Sequence, residues 1–353
     1  MMWKAMKIIL MIIAFMVIYK CLIAGHAMPI LHKDSISEYR KVVLNGVEQS
    51  ILIRGKKRSN PILLFIHGGP GNPETPFIVP YQRKWEDNYT VVNWDQRGGG
   101  RSYQKEMDRS SLHTEQICQD AIALTEYLKK EFQVEKIYLV GHSYGTYVGM
   151  KCIQLHPENY YAYVGIGQVG NQQENEKYLL EYAKKEAERE ENQKAVRELV
   201  EIGELPYNKY NFESNMLCVR KWTTYFRGAI HNRKDTKCIT FKVFMNPEYS
   251  LMDMVSYLKG EKLYYGQATY DRALWELYEA NLQREVPKVE VPITFIQGEN
   301  DYITSYEMCS NYFNSIEATD KKLITLSKCG HYPMLEKTEE VSEVLIQLLQ
   351  YSK

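Results

Sequence analysis

Two alternating runs of polar and apolar residues flank Asn45-Gly46 in "EYRKVVLNGVEQSILIRG". Period-two alternation is the mark of a strand, and Asn-Gly between two such runs predicts a tight hairpin turn. Further along, short apolar runs recur, each ended by a turn: Ile62 to Ile66, Val91 to Trp94, Ile137 to Val140 and Tyr163 to Ile166. Between the second and third of these, Ile117 to Phe132 carries apolar residues at helical spacing. Strands that alternate with helices predict an α/β fold with a mostly parallel sheet and flanking helices.

The pattern changes at about Asn171. "NQQENEKYLLEYAKKEAEREENQKAVRELVEIG" is charged and helical, and helix-like segments continue to about Glu285 with Tyr and Trp scattered among them. Strand-like runs then return at Ile293 to Gln297 and Leu323 to Leu326. The expected organisation is one α/β unit, 36–170 and 286–353, interrupted by a helical cap insertion over 171–285. The first 27 residues differ in kind. Lys4 and Lys7 precede an apolar run, Ile8 to Tyr19, which Lys20 interrupts and Cys21 to Ile23 resume. Such a start reads as a signal peptide ending near Gly25-His26-Ala27, or as one membrane anchor with Trp3 and Lys20 at the interfaces. Either reading has the N-terminal segment contacting the membrane. The rest of the chain is then extracytoplasmic, anchored or secreted.

Charge and cysteine content narrow the chemistry. The 353 residues hold 44 basic and 44 acidic side chains, so no net positive field favours nucleic acid as a partner. The seven cysteines are scattered, without a CxxC pair or a Cys/His spacing for metal. Neither a metal nor a cofactor is implied.

"IYLVGHSYGTYVGM", residues 137–150, puts a serine between two glycines where an apolar strand gives way to a helix. Gly-x-Ser-x-Gly in that setting is a nucleophile elbow: a turn so tight that flanking side chains do not fit, with the Ser143 hydroxyl raised at the carboxyl edge of the sheet. A serine needs a base to take its proton. With the chain order nucleophile, acid, histidine, His156, His231 and His331 remain. His331 alone follows a strand-like run into a loop, in "LITLSKCGHYPMLEK". The acid is Asp301 in "ITFIQGENDYIT", with Glu299 as runner-up; Asp235, Asp253, Asp271 and Asp320 follow no strand. Acyl transfer also needs donors for an oxyanion. The backbone N–H of Tyr144 supplies one, and Gly69 in "LLFIHGGPGNPETP" the other, with His67 shaping the loop.

His67 to Gly71 (HGGPG), "VVNWDQRGGGRS" at 91–102 and the elbow together resemble the proline iminopeptidase family of α/β-hydrolases. The resemblance covers roughly 36–170 and 286–353. It implies a Ser143–Asp301–His331 triad, a helical cap, an acyl-enzyme path, and release of N-terminal residues from a small peptide. Asp95, Arg97 and Ser102 match its second motif and are read as shaping the loop beside the site. Two departures stand out. Tyr144 replaces the usual Trp after the serine. The family's cap carries a Glu that recognises the substrate amine, yet "RKWTTYFRGAIH" has Trp222, Tyr225, Arg227 and Gly228 without one. A carboxylesterase or lipase acting on small acyl esters is the alternative on the same fold, and a non-catalytic ligand sensor is a remote one.

Overall fold

The computed structural model describes residues 3, 6–7, 11, 14–15, 17–20, 24–265 and 272–352. Eight strands form one sheet in the order β1-β2-β4-β3-β5-β6-β7-β8. These are β1 (Ile36–Leu44), β2 (Val47–Gly55), β3 (Ile62–Ile66), β4 (Thr90–Asp95), β5 (Ile137–His142), β6 (Tyr160–Ile166), β7 (Ile293–Gly298) and β8 (Lys321–Leu326). The β1–β2 hairpin is antiparallel and closes at Asn45 and Gly46, with φ of 46° and 82°, as the Asn-Gly turn predicts. β2 pairs antiparallel with β4, and the strands from β4 across to β8 are parallel. Every residue of β3, β4 and β5 is buried, the result of covering both faces of a parallel sheet.

Ten helices of eight residues or more are described: α1 (Thr114–Phe132), α2 (Tyr144–Leu155), α3 (Gln172–Arg189), α4 (Gln193–Glu201), α5 (Phe212–Tyr225), α6 (Lys237–Met245), α7 (Leu251–Tyr264), α8 (Arg272–Glu279), α9 (Tyr306–Ser315) and α10 (Thr338–Gln347). α1 and α2 bury Ile117, Leu124 and Val148 against one face of the sheet, and α10 buries Val341 and Leu345 against the other. Helix ends follow local chemistry. The Asn171 side chain accepts from Glu174 N at the start of α3, and Gln133 closes α1 in the left-handed region.

Helices α3 to α8 leave the sheet after β6 and return before β7. They hold an apolar cluster of their own, with Leu179, Ala183, Leu199, Phe212, Trp222 and Tyr278. The charged run at 171–203 is therefore two amphipathic helices, whose apolar stripe packs inward while charges such as Lys177 and Glu174 pair outside.

The N-terminal expectation needs correction. Ile8 to Leu10, Ile12, Ile13, Met16 and Cys21 to Ile23 lie outside the described residues. Among the described residues, no helix is long and apolar enough to cross a membrane. Lys20, expected at a membrane interface, is instead buried against the helical segment. Its ammonium donates to the carbonyls of Asn246 and Tyr249. Gly25, expected beside a cleavage site, donates its N–H to Pro247 O at 3.0 Å, and Arg101 reaches Gly25 O at 3.1 Å. An unpaired ammonium is costly to bury, and these carbonyls meet it. The membrane-spanning segment is withdrawn. So are the membrane contact and the extracytoplasmic placement, anchored or secreted, that rested on it.

Candidate active site

Loops after β3, β5, β7 and β8 converge at the carboxyl edge of the sheet. The turn after β5 is strained: Ser143 has φ 52° and ψ −122°, a conformation a non-glycine residue holds only when its surroundings impose it. A Cβ on Gly145 would stand 2.1 Å from the Ile66 carbonyl oxygen, so only glycine lets α2 start this close to β3. Ser143 N donates to Ile166 O at 3.0 Å and ties the turn to β6. Tyr144 opens α2, so its N–H belongs to the first turn, whose donors have no partner within the helix. Gly69 sits at φ 117°, open to glycine and hardly to others, and lines the same cavity as Ser143.

Asp301 is buried three residues past β7 and fully engaged. One carboxylate oxygen accepts from Ile303 N at 2.8 Å and Thr304 N at 3.0 Å. The other accepts from Gln297 Nε2 at 3.0 Å, Thr304 Oγ1 at 2.9 Å and His331 Nδ1 at 2.9 Å. His331 thus has one nitrogen on Asp301, and its ring lines the cavity that Ser143 floors. The Ser143 hydroxyl makes no hydrogen bond among the described residues. In unliganded enzymes such contacts often tighten only when substrate binds.

The other residues weighed from sequence lie elsewhere. Glu299 is exposed. His156 pairs with Glu158, and His231 uses its backbone N–H on Glu336. Asp235 pairs with Lys237, Asp253 caps α7 and Asp320 accepts from Tyr351; Asp271 lies outside the described residues. His67 is buried, with Nδ1 2.6 Å from Gly68 O and Nε2 accepting from Gln96 N, and burial lowers its pKa. Both nitrogens serve the loop. Arg97 grips Asp120 through Nε and Nη2 at 2.7 and 2.8 Å, Asp95 accepts from Thr75, and Ser102 Oγ donates to Asp95 O at 2.5 Å. This second motif braces the loop and stands outside the cavity wall.

The cavity above Ser143 measures about 370 Å³ and is walled by both the sheet loops and the helical segment. Lining residues that sequence did not single out include Glu74, His142 and Glu261. Glu74 follows the HGGPG loop, His142 precedes Ser143, and Glu261 lies on α7. Their proximity to the motifs was the one available signal for the first two; Glu261 had none. Burial raises the Glu261 carboxyl above its ordinary value, with Lys262 opposing, and no ion pair engages it among the described residues. Arg220 also lines the cavity, but Glu176 takes its guanidinium through both oxygens. In "RKWTTYFRGAIH", Trp222 donates to Glu198 and Arg227 pairs with Glu190; neither glutamate reaches the cavity. Among the described residues, no group of three or more His, Cys, Asp or Glu side chains could hold a metal ion.

The alpha/beta hydrolase fold family model matches residues 61–338. The Bacillus subtilis (strain 168) protein named probable aminopeptidase YbaC is 31% identical over 306 residues, covering 86% of this chain and 94% of that one. Among solved structures, proline iminopeptidase from Mycobacterium smegmatis superposes with a TM-score of 0.62 at 15% identity, over 89% of this chain and 98% of that one. A proline iminopeptidase-related protein from Thermus thermophilus gives 0.60 at 17% identity, over 90% and 98%. Motifs, sheet order and relatives agree: the chain belongs to the α/β hydrolase family.

Proposed function

We propose that the protein is a serine hydrolase that releases N-terminal residues from small peptides through an acyl-enzyme. Ser143 is the nucleophile, His331 the base and Asp301 the group that holds its tautomer. The observation carrying this reading is the His331–Asp301 hydrogen bond of 2.9 Å in the wall of a cavity floored by a strained serine. Ser143 Oγ attacks the substrate carbonyl carbon while His331 Nε2 takes its proton. The oxyanion forms against the N–H groups of Gly69 and Tyr144. Collapse breaks the amide bond, and the leaving amine takes the proton from His331. Water then releases the acyl group by the same steps.

The helical segment over 171–285 acts as the cap. A cavity of about 370 Å³ accepts one residue's acyl part, and Phe77, Ile239 and Leu274 supply apolar walls. Glu261 takes the substrate's free amine, the role the proline iminopeptidase family fills from elsewhere in the cap. A buried ammonium needs such a partner, and Arg220 is already spent on Glu176. The relative named as an aminopeptidase supports this direction. The test compares an amino-acid anilide with its N-acetylated form. A loss of a hundredfold or more in kcat/KM on acetylation is expected. Equal rates reject amine recognition and favour a carboxylesterase or lipase-type acyl hydrolase.

A further inference from the structure

Both ring nitrogens of His142 face acceptors. Nδ1 lies 2.5 Å from Glu74 Oε1, and Nε2 lies 2.8 Å from the backbone carbonyl oxygen of His331. A carbonyl oxygen only accepts, and so does an ionised carboxylate. Glu74 Oε1 also receives the N–H of Gly68, at 3.3 Å, which suits the ionised form. With two acceptors opposite, a ring bonded on both sides carries two protons and a positive charge. The imidazole is 1% exposed and Glu74 4%, so the opposite charges offset much of each other's desolvation.

We propose that His142 is a positioning residue kept as an imidazolium at neutral pH, where it locks three separate segments of the active site in register. One is the loop after β3, which carries Glu74 and the oxyanion donor Gly69. The second is the end of β5, one residue before Ser143. The third is the loop after β8 that holds His331. The contacts join residues 68 and 189 positions apart, and β5 and β8 are separated in the sheet by β6 and β7. No strand pairing can set that spacing, whereas one charged ring can. The inference rests on the assignments of Ser143, Gly69 and His331 above.

The surroundings fit. Burial alone would lower the His142 pKa; the Glu74 carboxylate, the His331 carbonyl and Asp301 together raise it. Glu74 moves the opposite way: burial would raise it, but His142 holds it below its ordinary value. His67 faces the pair as a neutral ring. The rings of His331 and Tyr332 pack on His142 at 4.8 and 5.5 Å between centroids, with burial keeping the Tyr332 phenol protonated. The sign follows. The lock is present at neutral pH and is lost as pH rises through the raised histidine value. On the acid side it is lost as pH falls through the depressed Glu74 value.

The test uses the full chain labelled with ¹⁵N-histidine, with His142→Gln to assign the signal. At pH 7.5 a histidine of ordinary pKa, about 6.5, is roughly nine-tenths neutral. His142 is expected to show two protonated nitrogens there. A one-proton tautomer, as a neutral Glu74 acid would leave, overturns the proposal. Glu74→Gln keeps both contacts, since its amide can donate to Nδ1, but removes the charge. Its labelling by a fluorophosphonate at pH 7.5 is expected to fall at least fivefold, with the alkaline limb at least one pH unit lower. Labelling at the wild-type rate with the same alkaline limb also overturns it. Neither readout needs a peptide substrate, so failure of the aminopeptidase reading leaves both intact. A wild type that resists the probe refutes the serine assignment instead, while the spectrum still reports on His142.

Discussion

The sheet and the helical segment bury their residues in contrasting ways. In β3 all five residues are inaccessible, and Leu63 and Leu64 have no exposed surface. α6 and α7 bury Ile239, Val243 and Tyr264, yet they leave Phe241 64%, Met252 71% and Leu258 56% exposed. The sheet side presents groups whose positions are set many times over: Asp301 alone receives five hydrogen bonds. Among the described residues, the helical side brings one carboxylate to the cavity, Glu261, beside apolar residues such as Ile239 and Leu274. On the proposed function, chemistry is built into the more fully buried half, while selection among substrates falls to the half that a few substitutions can reshape.

That contrast can be broken most sharply at Ser143. Ser143→Ala is expected to lower turnover by on the order of a millionfold for every substrate, free or blocked, without unfolding. Turnover within tenfold of wild type refutes the nucleophile. Asp301→Asn comes next, with a loss on the order of ten-thousandfold, again regardless of substrate, because the histidine tautomer is no longer held. A loss confined to one substrate would move Asp301 to the selecting half. Glu261→Gln should behave in the opposite manner. A drop of about tenfold to a hundredfold is expected for free-amine substrates, the cost of unpairing one buried charge, with acetylated ones unchanged. Equal loss on both classes would erase the division of labour.

The smallest effects on activity come from packing. Leu64→Ala in β3 and Leu179→Ala in α3 each remove a fully buried side chain, for about 2–5 kcal/mol of stability. At 25 °C both variants should keep activity within a few-fold of wild type. If the two regions are separate folding units, urea unfolding of Leu179→Ala shows a second transition; a single shifted transition joins them.

Much was legible from local rules. The Asn45-Gly46 turn, the apolar runs of β3 and β5 and the glycines around Ser143 each express a constraint acting within a few residues. A positive φ, a two-residue period or a backbone approach of 2.1 Å leaves its mark on neighbouring letters. His331 and Asp301 could be picked because each follows a strand, and the loops after parallel strands open on one edge of the sheet. The apolar N-terminal run was misread for the same reason. A hydrophobicity rule sees the run but not the partners of Lys20, which lie 226 and 229 residues away.

What sequence alone determined is the strands, their turns and the tight turn at Ser143, because those follow from backbone sterics and the periodicity of burial. Only the tertiary structure decided which acids face the cavity. Glu198 and Glu190, beside the stretch where a substrate acid was sought, are held by Trp222 and Arg227, whereas Glu261 on α7 meets the cavity. It alone brought Glu74 to His142, and His142 to the carbonyl of His331. A carboxylate has the same letter whether it pairs on the surface or stands beside a nucleophile. Its role is fixed by low-dielectric surroundings and by partners that distant segments supply, and no local pattern encodes those.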